Sequence, residues 1–488
     1  MNRQIRKVAF FTLILFGAIF LRLNWIQLAQ AQRLASDDRN KRLLVKEYSI
    51  ERGAMLSIDQ QTLAASEPRP ESELRYLRVY PMGQLFSHVT GYYSVRFGRG
   101  GLERGFNNVL TGETGVITIR EIGDRLLGEG RKGDTLLLSI HSSVQQAAID
   151  ALAATGRPGA IFAMDPVNGE VLALVSNPPF DPNPLSQHDA TGQEDTWNAL
   201  NNDPGKPLLN RATRESYPPG STFKVLTAAA ALENGFGTDT TYEATREYQP
   251  PQTDRKVGNF GGGSCGGNMA DALRVSCNTY FARLGAELSA EALENTAQGF
   301  GFGDRPELGI QVSASRMPSS DELGSPAFRA QAAIGQFEVS ATPMQMALVA
   351  AGIANSGKVM QPRIVKEIHD FRGTQLRETE PSVWKEAIRQ DTATTLKDLM
   401  VSVVDSGTGT RAQIGGVKVA GKTGTAQTGR PDNSNHAWFI AFAPADTPRI
   451  AIAVLVESGG EGSNETGGRI AAPIAKAVME AHRGVAGW

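Results

Sequence analysis

Ser221-Thr222-Phe223-Lys224 places a hydroxyl and an amine three residues apart at the start of an Ala/Leu-rich stretch that runs to Gly235. Residues i and i+3 share a helix face, so the Oγ of Ser221 and the Nζ of Lys224 can come within proton-transfer distance. Pro218 and Pro219 restrict the backbone on entry and Gly220 permits a sharp turn. The serine then stands at a helix N-terminus, where the dipole favours developing negative charge. A lysine set among Phe223, Leu226 and alanines is partly desolvated, which lowers its pKa toward that of a general base. This is nucleophilic chemistry on serine without a histidine. The six histidines, His88, His141, His188, His369, His436 and His482, are scattered without metal-ligand spacing. Neither a metal site nor a Ser-His-Asp triad is supported.

Ser-x-x-Lys alone is a weak signal. It recurs at Ser382-Val383-Trp384-Lys385, which reads as the start of a surface helix. Two further elements strengthen it. Ser276-Cys277-Asn278 follows a short helical stretch, Met269 to Val275, and Lys422-Thr423-Gly424-Thr425 follows the strand-like run Val417 to Ala420. Serine-x-x-lysine, serine-x-asparagine and lysine-threonine-glycine, in that order, are the signatures of penicillin-recognising acyltransferases. On these motifs the chain resembles a class B penicillin-binding protein, a monofunctional peptidoglycan D,D-transpeptidase. The opening hairpin Gly159–Pro166 with Asn168–Ala173, and the helix entry Gly335–Pro343, look like further parts of that catalytic domain. Relatives often carry glycine where this chain has Phe337. Arg52-Gly53, Ile58-Asp59 and Gly101-Leu102-Glu103 resemble the family's non-catalytic N-terminal module. Nearly the whole chain is covered, and its compact N-terminal region looks most like the short actinobacterial cell-division members.

The resemblance implies a mechanism. Ser221 attacks the carbonyl between two D-alanines of a stem peptide, and Lys224 as neutral amine takes its proton. Ser276 relays a proton to the departing amine, and Asn278 holds the substrate backbone. The N–H groups of Ser221 and Thr425 form an oxyanion hole. Lys422 adds positive charge, and Thr423, Gly424 and Thr425 receive the substrate or β-lactam carboxylate. No cofactor is implied. The partners are peptidoglycan stem peptides, β-lactams, the cell membrane, a membrane glycan polymerase and divisome proteins. Alternatives are a serine β-lactamase-like protein, a β-lactam sensor and a catalytically silent divisome scaffold. Gly416 to Thr423 also satisfies a phosphate-loop pattern, but that loop is itself strand-like and no helix follows, so an ATPase is rejected.

The net charge of −2 and the lack of an aromatic-laced basic patch give no case for nucleic-acid binding. Val8 to Leu21 is apolar and charge-free after Arg3, Arg6 and Lys7, and extends through Trp25 and Leu28 to about the ~20 residues that cross a bilayer. An uncleaved anchor over residues 8–28, after a cytoplasmic tail of residues 1–7, is preferred to a signal peptide, with the catalytic part outside the membrane. The 488 residues call for two globular units: a smaller β-rich module over 29–134 and a transpeptidase domain over 135–488. Residues 29–42 read as a polar stalk, with strands at Leu74–Val79 and Gly115–Ile122 and none clear around Pro68-Arg69-Pro70. The catalytic fold expected is α+β, an antiparallel sheet built from both ends of the domain and flanked by helices, with a helical insertion between. The glycine-rich stretches Phe260–Gly267 and Ser458–Gly468 read as rims. Cys265 and Cys277 can form a disulfide bracing the active-site loop in an oxidising compartment, or be two buried small residues. A straight helix would hold them too far apart, so Gly261–Gly267 would have to fold back.

Overall fold

A computed structural model describes residues 2–29, 41–113, 131–427, 435–457 and 466–488. Along the chain, α1 (Asn2–Ala29) contains an exposed apolar stretch, Arg3–Ile26, long enough to cross a membrane. The N-terminal module contributes β1 (Met55–Leu56), β2 (Thr62–Pro68), β3 (Tyr76–Val79) and the short α2 (Gly101–Gly105). Then come β4 (Thr135–Leu138), α3 (Ser142–Ala153), β5 (Gly159–Met164) and β6 (Val171–Asn177). The insertion carries α4 (Lys224–Glu233), β7 (Tyr242–Thr245), β8 (Cys265–Gly267), α5 (Met269–Arg274), α6 (Asn278–Glu287) and α7 (Pro343–Ala354). It is followed by β9 (Val365–His369), β10 (Gln375–Glu378), β11 (Val383–Glu386) and α8 (Gln390–Ser406). The C-terminal part supplies β12 (Ala420–Gln427), β13 (Asn435–Ala443), β14 (Ile450–Val456) and α9 (Ala471–Ala486).

The central sheet is antiparallel, in the order β12-β13-β14-β5-β6. Strands from both ends of the domain meet at β14 and β5, as the sequence pattern implied. Their apolar runs are nearly continuous, Ile450–Val456 being buried throughout, because both faces are covered. One face packs on α3 and α9. The buried positions of α9 include Ala471, Ile474, Ala475 and Val478, the i, i+3, i+4, i+7 stripe of an amphipathic helix. The other face packs on α7, which is apolar all round and therefore interior. This layering leaves β12 as an edge strand, its outer backbone turned toward the helical insertion.

A second, six-stranded sheet runs β10-β9-β4-β1-β2-β3. Its strand β4 pairs with module strand β1 on one side and with β9 on the other. Inside the module, the buried Glu103 receives Arg52 at 2.5 Å and Arg78 at 2.6 Å, which compensates a carboxylate with no exposure. Two of the three N-terminal fragments that carried the resemblance, around Arg52 and Glu103, are thus one ion cluster.

Several sequence expectations shift. The strand β2 runs to Pro68, which pairs with Tyr76 and closes the ladder at its end, where a missing N–H is tolerated. Ser382-Val383-Trp384-Lys385 is not a helix start. Val383 to Lys385 lie on β11, with Ser382 just before it, in an extended run whose alternation points residues three apart to opposite faces, and Lys385 pairs with Asp304 at 2.5 Å. The C-terminal strand starts at Ala420 rather than Val417, because Val417 closes a tight turn on Ile414. Gly115–Ile122, most of the stalk and residues 458–465 of the second glycine-rich stretch lie outside the described residues.

Candidate active site

The serine turn is held by backbone contacts that leave no room for side chains. Gly220 has φ of +53° and its N–H donates to the Gly335 carbonyl at 3.1 Å. A Cβ on Gly220 would stand 2.7 Å from the carbonyl oxygen of Thr425, and one on Gly335 would stand 2.1 Å from that of Gly220. On the other side, a Cβ on Gly424 would meet Thr222, Trp438 and the Pro219 carbonyl within 3.1 Å. Glycine at these points is what lets the turn and the Lys-Thr-Gly strand touch. The entry is tied down by Trp438 Nε1, which donates to the Pro218 carbonyl at 3.0 Å. Tyr217 packs edge-on against Trp438 and donates its hydroxyl to Glu457 at 2.6 Å, where Arg211 also pairs at 2.7 Å. The residues Gly220–Phe223 form a 3₁₀ turn, and the α-helix α4 opens on Lys224.

That geometry alters the expected partnership of Ser221 and Lys224. Lys224 is fully buried, and its Nζ donates to the Ser276 carbonyl at 2.7 Å and to Asn278 Oδ1 at 2.6 Å, with Ser276 Oγ at 3.4 Å. No hydrogen bond joins it to Ser221 Oγ among the described residues. Ser276 sits at φ of +60°, a left-handed position that presents both its carbonyl and its hydroxyl to the lysine. Asn278 opens α6, and its Nδ2 donates to the Gly258 carbonyl at 2.9 Å. Its carbonyl oxygen is thus engaged by the lysine and one amide hydrogen by the backbone. A second lysine reaches the same serine: Lys422 Nζ donates to Ser276 Oγ at 2.8 Å and to the Thr423 carbonyl at 2.8 Å.

Both lysines are wholly buried. Burial lowers the pKa of Lys422 to about 7. Burial, reinforced by the charge of Lys422, pushes Lys224 well below the ordinary lysine range. Once it has lost its proton, Lys224 keeps two N–H donors for the Ser276 carbonyl and Asn278 Oδ1, which leaves its lone pair as an acceptor. Ser276 Oγ accepts from Lys422, so its own hydrogen is free to point at that lone pair. The polar chain therefore has a direction, from Lys422 through Ser276 to Lys224.

Above the lysines lies an open cleft of roughly 720 Å³, lined among others by Ser221, Ser276, Asn278, Thr423, Gly424 and Thr425. Thr423 Oγ1 is 2.6 Å from Thr408 Oγ1. Cys265 and Cys277 are joined, with Cα atoms 5.8 Å apart. The chain folds back as that pairing requires: Cys265 lies on β8, Gly267 turns at φ of +83°, and α5 is only six residues long. The Phe260–Gly267 rim pairs through β8 with β7 and lines the cleft. Phe337, where the family resemblance implies glycine, takes φ of +50° and stacks on Phe328 at 4.4 Å. Lys422-Thr423 lies in mid-strand rather than before a helix, which removes the phosphate-loop reading. Thr408, Trp438, Tyr217, Glu457 and Arg211 were not singled out in the sequence. Their types are common, and only the fold brings them to the turn.

Residues 159–480 match the penicillin binding protein transpeptidase domain. The chain belongs to that family. Residues 52–136 match the penicillin binding protein A dimerisation domain. The chain is 39% identical over 490 residues to the peptidoglycan D,D-transpeptidase PbpA of Mycolicibacterium smegmatis, with 99% of each covered. It is 37% identical over 494 residues to PbpA of Mycobacterium tuberculosis, again with 99% of each covered. Its fold superposes on penicillin-binding protein A from M. tuberculosis in a ceftriaxone acyl-enzyme complex, with a TM-score of 0.85 and 37% identity over 90% of this chain and 99% of that one. The chain is a peptidoglycan D,D-transpeptidase of the serine type.

Proposed function

We propose that Ser221 is the acyl-carrying nucleophile and that Lys224, neutral in the resting site, is its base. The observation that carries this reading is the placement of a buried amine, with its pKa driven well below the lysine range, beneath the cleft, its two donors occupied and its lone pair left as an acceptor. Ser221 Oγ attacks the carbonyl between the two D-alanines, and its proton goes to Lys224. As the C–N bond breaks, Ser276 passes that proton to the leaving D-alanine. The amine of a neighbouring stem then attacks the ester, forms the cross-link and returns a proton to Ser221. Asn278 orients Lys224 through its carbonyl oxygen and offers its remaining amide hydrogen to the substrate. The outer edge of β12 supplies backbone groups to an extended peptide. Thr425 N–H with Ser221 N–H faces the oxyanion, each such donor being worth ~10²–10³ in rate. Thr423, with Lys422 behind it, receives the terminal carboxylate. β-Lactams enter the first half of the same path and stay as the acyl-enzyme, the state in which the M. tuberculosis relative was solved. Labelling with a fluorescent penicillin tests this: the wild type reacts and Ser221→Ala does not.

The apolar stretch of α1 supports a membrane anchor over residues 8–28, with residues 1–7 inside the cell and the catalytic part on the side where peptidoglycan lies. The two family matches support a module over 29–134 and a transpeptidase domain over 135–488. Because β4 is shared, these are units of sequence that fold as neighbours in one sheet. The likeness to the short actinobacterial members supports a proposed role in septal wall synthesis, beside a membrane glycan polymerase and divisome proteins. A fluorescent fusion tests it by its position: accumulation at the side wall alone would refute the septal role.

A further inference from the structure

A second cavity, of roughly 690 Å³, opens where the N-terminal module meets the catalytic part, and none of its lining residues belongs to the serine cleft. Its volume is that of a small-molecule site, about 300–1,000 Å³. Its chemistry is lopsided. Arg99, Arg104 and Arg214 line it and no Asp or Glu does. Arg99 is occupied by Glu47 at 2.5 Å. Arg104 and Arg214 are exposed and have no carboxylate within ion-pair distance among the described residues. Aromatic rings line the cavity as well, with Tyr92 edge-on to Trp197 at 5.8 Å and to Phe180 at 6.4 Å. Phe97 stacks on Trp197 at 4.5 Å and fixes its ring. Asn210 lines the same cavity; its Nδ2 donates to the His88 carbonyl, while its buried Oδ1 has no partner. A buried acceptor without a donor is uncommon in folded proteins, and a ligand hydroxyl or N–H would satisfy it.

We propose that this cavity is a non-catalytic binding site for a carboxylate-bearing amino-sugar saccharide, that is, wall glycan from which the stem peptide has been removed so that the lactyl carboxylate is free. Planar guanidinium groups pair bidentately with carboxylates. The aromatic rings offer flat apolar faces to a pyranose, and the side-chain amides of Asn201 and Gln311, which also line the cavity, meet its hydroxyl and acetamido groups. A bare anion would leave the aromatic rings idle, and an apolar ligand would leave two arginines idle. Both the module, through Tyr92 and Arg104, and the catalytic part, through Trp197 and Arg214, line the cavity, so an occupant touches both. The inference rests on the wall-polymer reading only for the identity of the sugar.

The test uses the full chain in detergent micelles with Ser221 first blocked by penicillin, so that the serine cleft cannot contribute. A muramic acid-containing disaccharide with its free lactyl carboxylate is titrated by calorimetry. Binding is expected in the blocked protein, weakened at least ten-fold by Arg104→Gln and by Arg214→Gln, while both variants still acylate with penicillin at the wild-type rate. On the wild type alone, raising the salt from low to high should weaken binding several-fold. A stem peptide without sugar should bind at least ten-fold more weakly, which separates the sugar carboxylate from the peptide carboxylates. The proposal is overturned by absence of binding, by equal binding of a disaccharide lacking the carboxylate, by equal binding of the peptide alone, or by indifference to both arginine substitutions. Failure of penicillin to acylate Ser221 in the same sample would instead count against the catalytic reading.

Discussion

Two buried lysines converge on the hydroxyl of Ser276, and their mutual repulsion is part of the chemistry. An ammonium group taken out of water without a carboxylate partner loses its proton instead. Asn278 and the Ser276 carbonyl hold the resulting amine of Lys224 in place. Lys224→Ala should therefore suppress penicillin acylation as strongly as Ser221→Ala, since groups that act as one unit do not give additive losses. Lys385→Ala, on the strand that carries the decoy motif, should leave labelling unchanged, and equal loss at the two lysines would mean that the base has been misassigned. Lys422→Met removes the charge that helps to hold Lys224 down. The acid limb of its acylation-rate profile should then move to higher pH, and a limb that stays in place would refute the coupling. The same lysine has a stability consequence. Its pKa is about 7 in the fold and ~10.4 in an unfolded chain. Between those values the unfolded chain holds a proton that the fold does not, so stability rises with pH through the window and falls toward acid. The Tm of the wild type should gain more between pH 7 and pH 9 than that of Lys422→Met.

The elements around the site do two jobs, bringing strand β12 to the serine turn and fixing the Ser-x-Asn loop beside it. Trp438→Phe keeps an aromatic ring but loses the indole N–H that bonds the Pro218 carbonyl, along with part of a fully buried side chain. It should cost about 1–3 kcal/mol in denaturant unfolding and slow acylation, whereas an unchanged acylation rate would show that the turn needs no such tether. The bridge between Cys265 and Cys277 closes a loop with a sequence separation of 12, so its loss in Cys265→Ser should cost about 3 kcal/mol. Intact mass should lie about two daltons above that of the oxidised protein after reduction; two free thiols in exported material would contradict the bridge. Much of this layer was legible beforehand. The bounds of α3 match its apolar spacing, and β5, β6, β13 and β14 announce themselves as apolar runs bounded by turn residues. Other features were hidden for physical reasons. The strand-like run up to Lys422 was legible, but its continuation through Gly424 to Gln427 rests on the ladder with β13. The left-handed conformation of Ser276 and the reach of Lys422 to its hydroxyl depend on packing between segments 146 residues apart. Tyr217, Glu457 and Arg211 look ordinary until the fold assembles them.

At the scale of the whole molecule, the chain joins an apolar N-terminal helix, a module centred on a buried Arg-Glu-Arg cluster, and a catalytic sheet that takes strands from both of its ends. The motifs all lie beyond Thr135, so a chain lacking residues 1–32 should be soluble and should still react with penicillin. Loss of labelling in a truncation that remains folded by circular dichroism would contradict the separateness of the anchor. What distinguishes a transpeptidase from a hydrolase on the same scaffold is the second step, in which water must be kept from the ester until an acceptor amine arrives. The most direct measurement is time-resolved intact mass of the protein after a pulse of penicillin. The account predicts one opened β-lactam on the wild type, located to Ser221 by peptide mapping, absent in Ser221→Ala, and persisting for minutes or longer behind a deacylation barrier of ~20 kcal/mol or more. An adduct at another residue, or release of hydrolysed penicillin at many turnovers per second, would contradict it.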